Sequence, residues 1–348
     1  MMNLQKKKLY TLLALVALFV ILFICNMLLS PYHMRIINLV GINIALVVSL
    51  NLTNGFCGVF SLGHAGFMAV GAYVAAILSL PLVKKAIILP ELPKWLGSVE
   101  LSFLPSLIIG GLVAAICALI IGYPVLRLRG HYLAVATLGF LVVIQVVITQ
   151  LQDFTRGARG INGLTQYTNT WWVWIFTCIT IYVVWRIINS AYGRGMMAIR
   201  EDDLAAEAMG VNLTKYRLLA FCVGAFFAGI GGALWAHLIT VVTPLSFSYD
   251  RTFSLVVMSV IGGMSSITGG VVGASLMTLV PELLRNLEVG ITVGGISIPP
   301  LYGISQIVLS VVLIIVIIVR PKGIVGSREF SWNLFKKKKW NTMNQMEN

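Results

Sequence analysis

Four histidines, five cysteines and twelve acidic side chains are the first candidates for acid–base, metal or nucleophilic chemistry in this chain. His33, His64, His131 and His237 stand far apart, with no HExxH or comparable ligand spacing between them. No Gly-Lys dipeptide occurs, so the phosphate-cradling Walker A loop is missing. There is no GxSxG elbow, and no Ser or Cys has a base at a spacing that would activate it. Cys25, Cys57, Cys117, Cys178 and Cys222 lie in or beside apolar stretches and read as small buried hydrophobes. Asp153, Asp250, Glu282 and Glu288 fall near the ends of apolar stretches, so the interior acid that marks ion coupling is absent. These residues predict no catalysis, no metal site and no cofactor on the chain itself.

Two other patterns carry more. Glycine and serine cluster twice inside long apolar runs, at Gly55 to Gly66 (GFCGVFSLGHAG) and at Gly262 to Gly270 (GGMSSITGG), once in each half of the chain. Unwound backbone in a membrane is tolerated only where it is buried in protein or lines water, and such breaks point to a transport path. Ser61, Gly63, His64, Ser265, Ser266 and Gly269 are the path candidates on this reading. Small residues equally let helices approach closely. A single His in an apolar segment also reads as a packing residue hydrogen-bonded to neighbours such as Asn51, Asn54 or Ser61. Both readings stand at the level of sequence.

The second pattern is Gly193–Phe221, GRGMMAIREDDLAAEAMGVNLTKYRLLAF, the most charged internal stretch. Glu201, Asp202 and Asp203 suit the N-terminal end of a short helix and Gly210 suits its left-handed stop. Ala205 and Ala206 leave one face thin, so another surface can approach. A second short helix is expected near Asn212. The plain alternative is a solvated loop that holds positive charge on one membrane side.

The elements that must position these residues are membrane helices. Of 348 residues 58% are hydrophobic and only 11% charged, against about 25% charged in soluble domains. That excludes a soluble enzyme, a disordered tail protein and a disulfide scaffold. Charge-free windows run 9–34, 36–83, 101–126, 130–152, 160–185, 218–249, 252–281 and 289–319. A crossing takes about 20 helical residues. The second window holds two crossings and 252–281 holds a helical hairpin, so the expectation is an all-α polytopic fold with about ten passes (8–10), some broken or re-entrant. Lys6 to Lys8 precede the first span, which reads as retained rather than as a cleaved signal. Arg320, Lys322, Arg328 and Lys336 to Lys339 follow the last, so both flanks read as cytoplasmic. The chain divides into a flank 1–8, a transmembrane domain 9–319 with a cytoplasmic loop 190–217, and a basic tail 320–348. Arg127 and Arg129 then fall inside, as lipid anchors or contact surface. Arg156 and Arg159 fall outside. The KKKKW run at 336–340 is expected on anionic lipid rather than nucleic acid.

The pattern Ala205-Ala206-x-x-x-Gly210 is similar to the EAA loop of ABC importer permeases, the helix that docks into an ATPase. AIREDDLAAEAMGVN followed by YRLLAF resembles, more closely, the branched-chain amino acid permease family of the Liv type, its LivM-like half. Three further blocks carry the resemblance: NGFCGVFSLGHAGFMAVGAY (54–73), YPVLRLRGHYLAVATLGF (123–140) and VVMSVIGGMSSITGGVVGASLMTLVPELLR (256–285). The exit RPKGIVG (320–326) fits as well. The chain departs from the generic EAA pattern at Leu204, which stands where a glutamate is usual.

The resemblance implies a permease without catalysis, localised to the plasma or inner membrane, that imports branched-chain or related amino acids. Its implied partners are a homologous second permease, two ABC ATPase subunits that use ATP and Mg, an extracytoplasmic substrate-binding protein and membrane lipid. Arg200, Glu201, Asp202, Ala205, Ala206, Glu207 and Gly210 are the implied coupling residues. A urea or short-amide permease of the same family, and a stand-alone secondary transporter, are the alternatives.

Overall fold

The computed structural model describes residues 4–128, 130–289, 291–293, 296–298, 303–326 and 329. The KKKKW run and Arg129 lie outside the described residues. Apolar runs with no acid to solvate coil into helices because a lipid interior leaves backbone N–H and C=O groups no partner but each other. Fifteen α-helices follow in order: α1 (Leu4–Leu28), α2 (Pro31–Asn51), α3 (His64–Ser79), α4 (Leu82–Ile88), α5 (Lys94–Gly97), α6 (Phe103–Val125), α7 (His131–Gln150), α8 (Gln152–Thr155), α9 (Thr170–Ile188), α10 (Ala191–Glu201), α11 (Asp203–Ala208), α12 (Leu213–Ile239), α13 (Tyr249–Gly262), α14 (Ile267–Val289) and α15 (Ile304–Val319). Two short antiparallel ribbons join loops, β1 (Ile161–Asn162) with β2 (Val241–Val242), and β3 (Ile291–Val293) with β4 (Ile296–Ile298).

Among the described residues seven helices are long and apolar enough to cross a membrane, and α3 with α4, bent by 117° at Leu80–Pro81, makes an eighth if counted as one span. The chain is an all-α, multi-pass membrane protein. Window 36–83 holds two helices and window 252–281 holds the hairpin α13–α14, as the charge-free runs predict. At 14 residues α13 is too short to cross by itself.

The core lies where α2, α3, α6 and α12 meet. Leu46, Leu50, Met68, Leu107 and Leu234 are fully buried there. In lipid no hydrophobic force drives helices together, so close approach of small residues does. A Cβ on Gly71 would stand 2.3 Å from Gly229 Cα, and one on Gly110 would stand 2.7 Å from Gly71 O. At the periphery α1 leaves most of its apolar side chains exposed and touches the rest through Phe19, whose ring stacks on Trp171 at 6.2 Å.

The start of the sequence-defined tail is part of the fold. Ile324 N and Val325 N donate to Ile261 O (2.8 Å) and Gly262 O (3.1 Å). The Glu329 carboxylate accepts from Ile267 N (2.7 Å), Thr268 N (3.2 Å) and Thr268 Oγ1 (2.9 Å), capping the N-terminus of α14.

Candidate functional site

At one end of the bundle the charged stretch folds into α10 and α11. Asp202 ends the first and caps the second: its Oδ1 accepts from Leu204 N (2.8 Å) and Ala205 N (3.0 Å). This is the side-chain oxygen that orphan N–H groups at a helix start require. Gly210 takes φ +82° and closes the turn, as its position in the sequence predicts. Asn212 does not start a second short helix. Its Oδ1 accepts from Lys215 N (3.0 Å) and begins the long membrane helix α12, because the apolar run behind it continues without a stop.

The helix pair is braced inward. Arg217, on the first turns of α12 and only 9% exposed, forms an ion pair with Asp203. Arg200 is paired with Glu201 and also donates from Nη1 to Gly55 O at 3.2 Å. Two large apolar side chains point outward from α11 and its C-cap: Leu204 is 66% exposed and Met209 84%. Ala205, Glu207 and Gly210 share that exposed surface, whereas Ala206 is buried against the protein. Beside the pair lies an open cleft of about 780 Å³ between Phe60, Leu128 and Leu133 on one wall and Ile199, Asp202 and Leu204 on the other. Sequence reasoning passed over Met209 and treated Leu204 only as a departure; an apolar side chain within a run of acids, just after a cap, was the available signal.

The two glycine breaks meet each other beneath this surface. After α2 the chain makes a π-helical turn, Leu52–Phe56, and reaches His64 through an irregular segment. A Cβ on Gly55 would stand 1.7 Å from Met264 O, in the turn of the α13–α14 hairpin. Asn51 bridges the two breaks, donating from Nδ2 to Ser266 O (3.3 Å) and accepting from Ser259 Oγ. The irregular segment is held by Asn54, whose amide accepts from Ser61 N (3.0 Å) and donates to Ser61 O (3.2 Å), and by Thr137 Oγ1, which accepts from Leu62 N (2.9 Å).

The path candidates separate on this geometry. Ser61, His64, Ser266 and Gly269 are buried, and Ser265 is half-buried at the hairpin turn. Gly63 precedes α3 and its N–H donates to Ser61 Oγ at 3.3 Å. The partner of His64 is none of the three the sequence suggests: its Nε2 lies 3.1 Å from Ser49 Oγ on α2, while Asn51, Asn54 and Ser61 are engaged elsewhere. In this conformation the breaks form tight backbone-to-backbone packing.

At the opposite end of α7, Arg156 and Arg159 line a cleft with Glu91 and Asp153. Arg156 adopts φ +63°. Cys57, buried beside the ion pair, has its thiol pushed up to about 12 by burial, with Arg217 pulling the other way.

Comparison with known proteins follows the same outline. The family model described as branched-chain amino acid transport system / permease component matches residues 32–318. The chain is 28% identical to the high-affinity branched-chain amino acid transport system permease protein LivM of Salmonella typhimurium, over 92% of this chain and 75% of that one. It is 22% identical to a probable LivM permease of Methanocaldococcus jannaschii, covering 86% and 94%. It is likewise 22% identical to the Salmonella typhimurium permease LivH, covering 82% and 91%. No solved structure matches.

Proposed function

Because the chain belongs to the branched-chain amino acid transport permease family, we propose that it is a non-catalytic membrane subunit of an ATP-driven importer of branched-chain amino acids. It pairs with a homologous permease, and the similarity of one chain to both LivM and LivH supports a partner built on the same plan. Two ABC ATPases supply ATP and Mg chemistry, which the motif inventory of this chain does not provide. A substrate-binding protein delivers the amino acid from outside, at the end where Arg156 and Arg159 lie.

The observation that carries this reading is α11. A helix capped by Asp202 and tied back through Asp203 and Arg217 holds Leu204 and Met209 out of the protein, on the stretch that carries Arg194, Arg200, Lys215 and Arg217. Exposed apolar side chains on a rigid polar mount are what a protein partner's groove takes up. The α10–α11 end is therefore the cytoplasmic one, and α11 is the coupling helix.

Motion passes to the membrane through Arg200 and Gly55. A displacement of α10 pulls on the π-helical turn, and that turn abuts the hairpin turn at Met264. Because both breaks are backbone packed on backbone, they shift together or not at all. Opening them would free Ser61, His64 and Ser265 toward a substrate.

Co-purification tests the assignment. The tagged chain, expressed with the ATPase genes of its own transport system, is expected to retain the ATPases. Leu204→Glu combined with Met209→Glu is expected to release them while the second permease stays bound. Full retention of the ATPases by the double variant would remove α11 as the docking helix.

A further inference from the structure

We propose that the first turn of α13, with Arg251 as its anchor, is a mid-membrane station for the carboxylate of the transported amino acid. This rests on the permease reading above and adds the residue that would recognise the substrate.

Sequence alone puts Arg251 at a span boundary, just before the charge-free window 252–281. The structure takes its guanidinium far inward. Nη2 donates to Asn43 Oδ1 at 2.8 Å, and Asn43 is at the midpoint of the span Pro31–Phe56. Ser259, eight residues further along α13, bonds Asn51, eight further along α2. The helices therefore run parallel and in step, and α13 begins where α2 is half-way across. It is a half-helix whose N-terminus, the positive end of its dipole, opens at mid-depth.

The amide that meets Arg251 is oriented by its own partners. Asn43 Nδ2 donates to Thr278 Oγ1 (2.8 Å), and the Thr278 hydroxyl donates to Ala274 O (2.7 Å) on α14. Only the Asn43 oxygen is left to face the guanidinium. Three helices are thus committed to placing one cation.

That cation lacks an anion. No acid lies within ion-pair reach of Arg251 among the described residues, and the neighbouring Asp250 is exposed. Arg251 Nε is sealed from solvent with no acceptor. In the same turn Thr252 is 2% exposed, and its hydroxyl also has no partner. A half-buried guanidinium with a sealed Nε and one neutral ligand gains when an anion completes it. Half-helix N-termini at the bilayer midplane meet anionic substrate groups in other transporters. Every α-amino acid carries a carboxylate whose two oxygens match the guanidinium fork. On this assignment Arg251 selects for the acid itself.

The test uses the full complex in proteoliposomes, with radiolabelled leucine and ATP inside. Arg251→Gln is expected to cut uptake about tenfold or more, as loss of a desolvated charge contact does, at unchanged subunit yield. Arg251→Lys, which keeps the charge without the fork, is expected to fall between the two. Wild-type uptake by Arg251→Gln would overturn the proposal. So would loss of the second permease from that variant, which would make Arg251 a subunit contact. So would wild-type uptake that follows the phosphatidylglycerol content of the vesicles while Arg251→Gln uptake does not, which would assign Arg251 to a lipid phosphate. If the wild-type complex itself moves no leucine, the permease reading falls first and this assignment with it.

Discussion

The guanidinium of Arg200 and the carbonyl of Gly55 are joined across 145 residues by a 3.2 Å hydrogen bond. One end belongs to the last turn of α10, and the other to the π-helical turn that ends α2. The backbone of Arg200 also lies against Gly58, where a Cβ would stand 3.1 Å from Arg200 Cα. The charged helix pair and the glycine break are therefore one mechanical unit.

Arg200→Ala is expected to loosen that unit without unfolding the bundle. The side chain is 30% exposed, so the lost charged hydrogen bond costs about 1.5 kcal/mol, the low end for its class. The functional effect should exceed the stability effect: ATP hydrolysis continues while uptake drops. Measuring both rates on one reconstituted preparation checks this, and equal losses in the two would argue against a transmitting role.

Gly55→Ala tests the contact between the two breaks. Its Cβ would overlap Met264 O, a backbone atom that cannot rotate away, so a cost of about 3 kcal/mol or more is expected. Gly139→Ala in α7 is the control. Nothing lies within 4 Å of its added Cβ, and a helical Gly→Ala change there should gain about 0.5–1 kcal/mol. Thermal unfolding of the purified variants should move in opposite directions.

On α11 the two alanines are expected to behave differently. Ala206, 5% exposed, has no room for bulk, and Ala206→Trp should displace the helix and abolish ATP-driven uptake. Ala205→Ser, on the exposed side, should leave the fold intact. Uptake by Ala206→Trp at the wild-type rate would contradict both the packing and the coupling role.

Cys57 offers a native reporter of this region. Burial raises its thiol to about 12, so it stays protonated at pH 7, and the reactive thiolate is scarce. Raising the buffer to about pH 9 speeds labelling of an ordinary exposed thiol, whose pKa is about 8.5. Cys57 in the resting protein should remain unlabelled by N-ethylmaleimide at both values and react only after denaturation. Peptide mass spectrometry reads the outcome.

Local features of this protein are written in its sequence. The left-handed turn at Gly210, the acid-led start of α11 and the hairpin inside 252–281 each depend on residues within one or two turns of each other. The partners of His64 and Arg251 depend on which helix faces which. Ser49 and Asn43 are ordinary polar residues in an apolar helix until the side chains of His64 and Arg251 reach them. Asn212 reads as the start of a short helix because its local cap is the same for six residues or for the twenty-seven of α12. The tail shows the same limit, since Glu329 caps a helix that starts 62 residues earlier.

The most direct measurement is leucine uptake by the reconstituted complex without ion gradients. One arm carries ATP and active ATPases, and the other carries ATPases unable to hydrolyse it. The account predicts accumulation only in the first, and its loss when Leu204 and Met209 are both changed to glutamate. Accumulation at equal rates in both arms, or uptake driven by an imposed proton or sodium gradient alone, would contradict it.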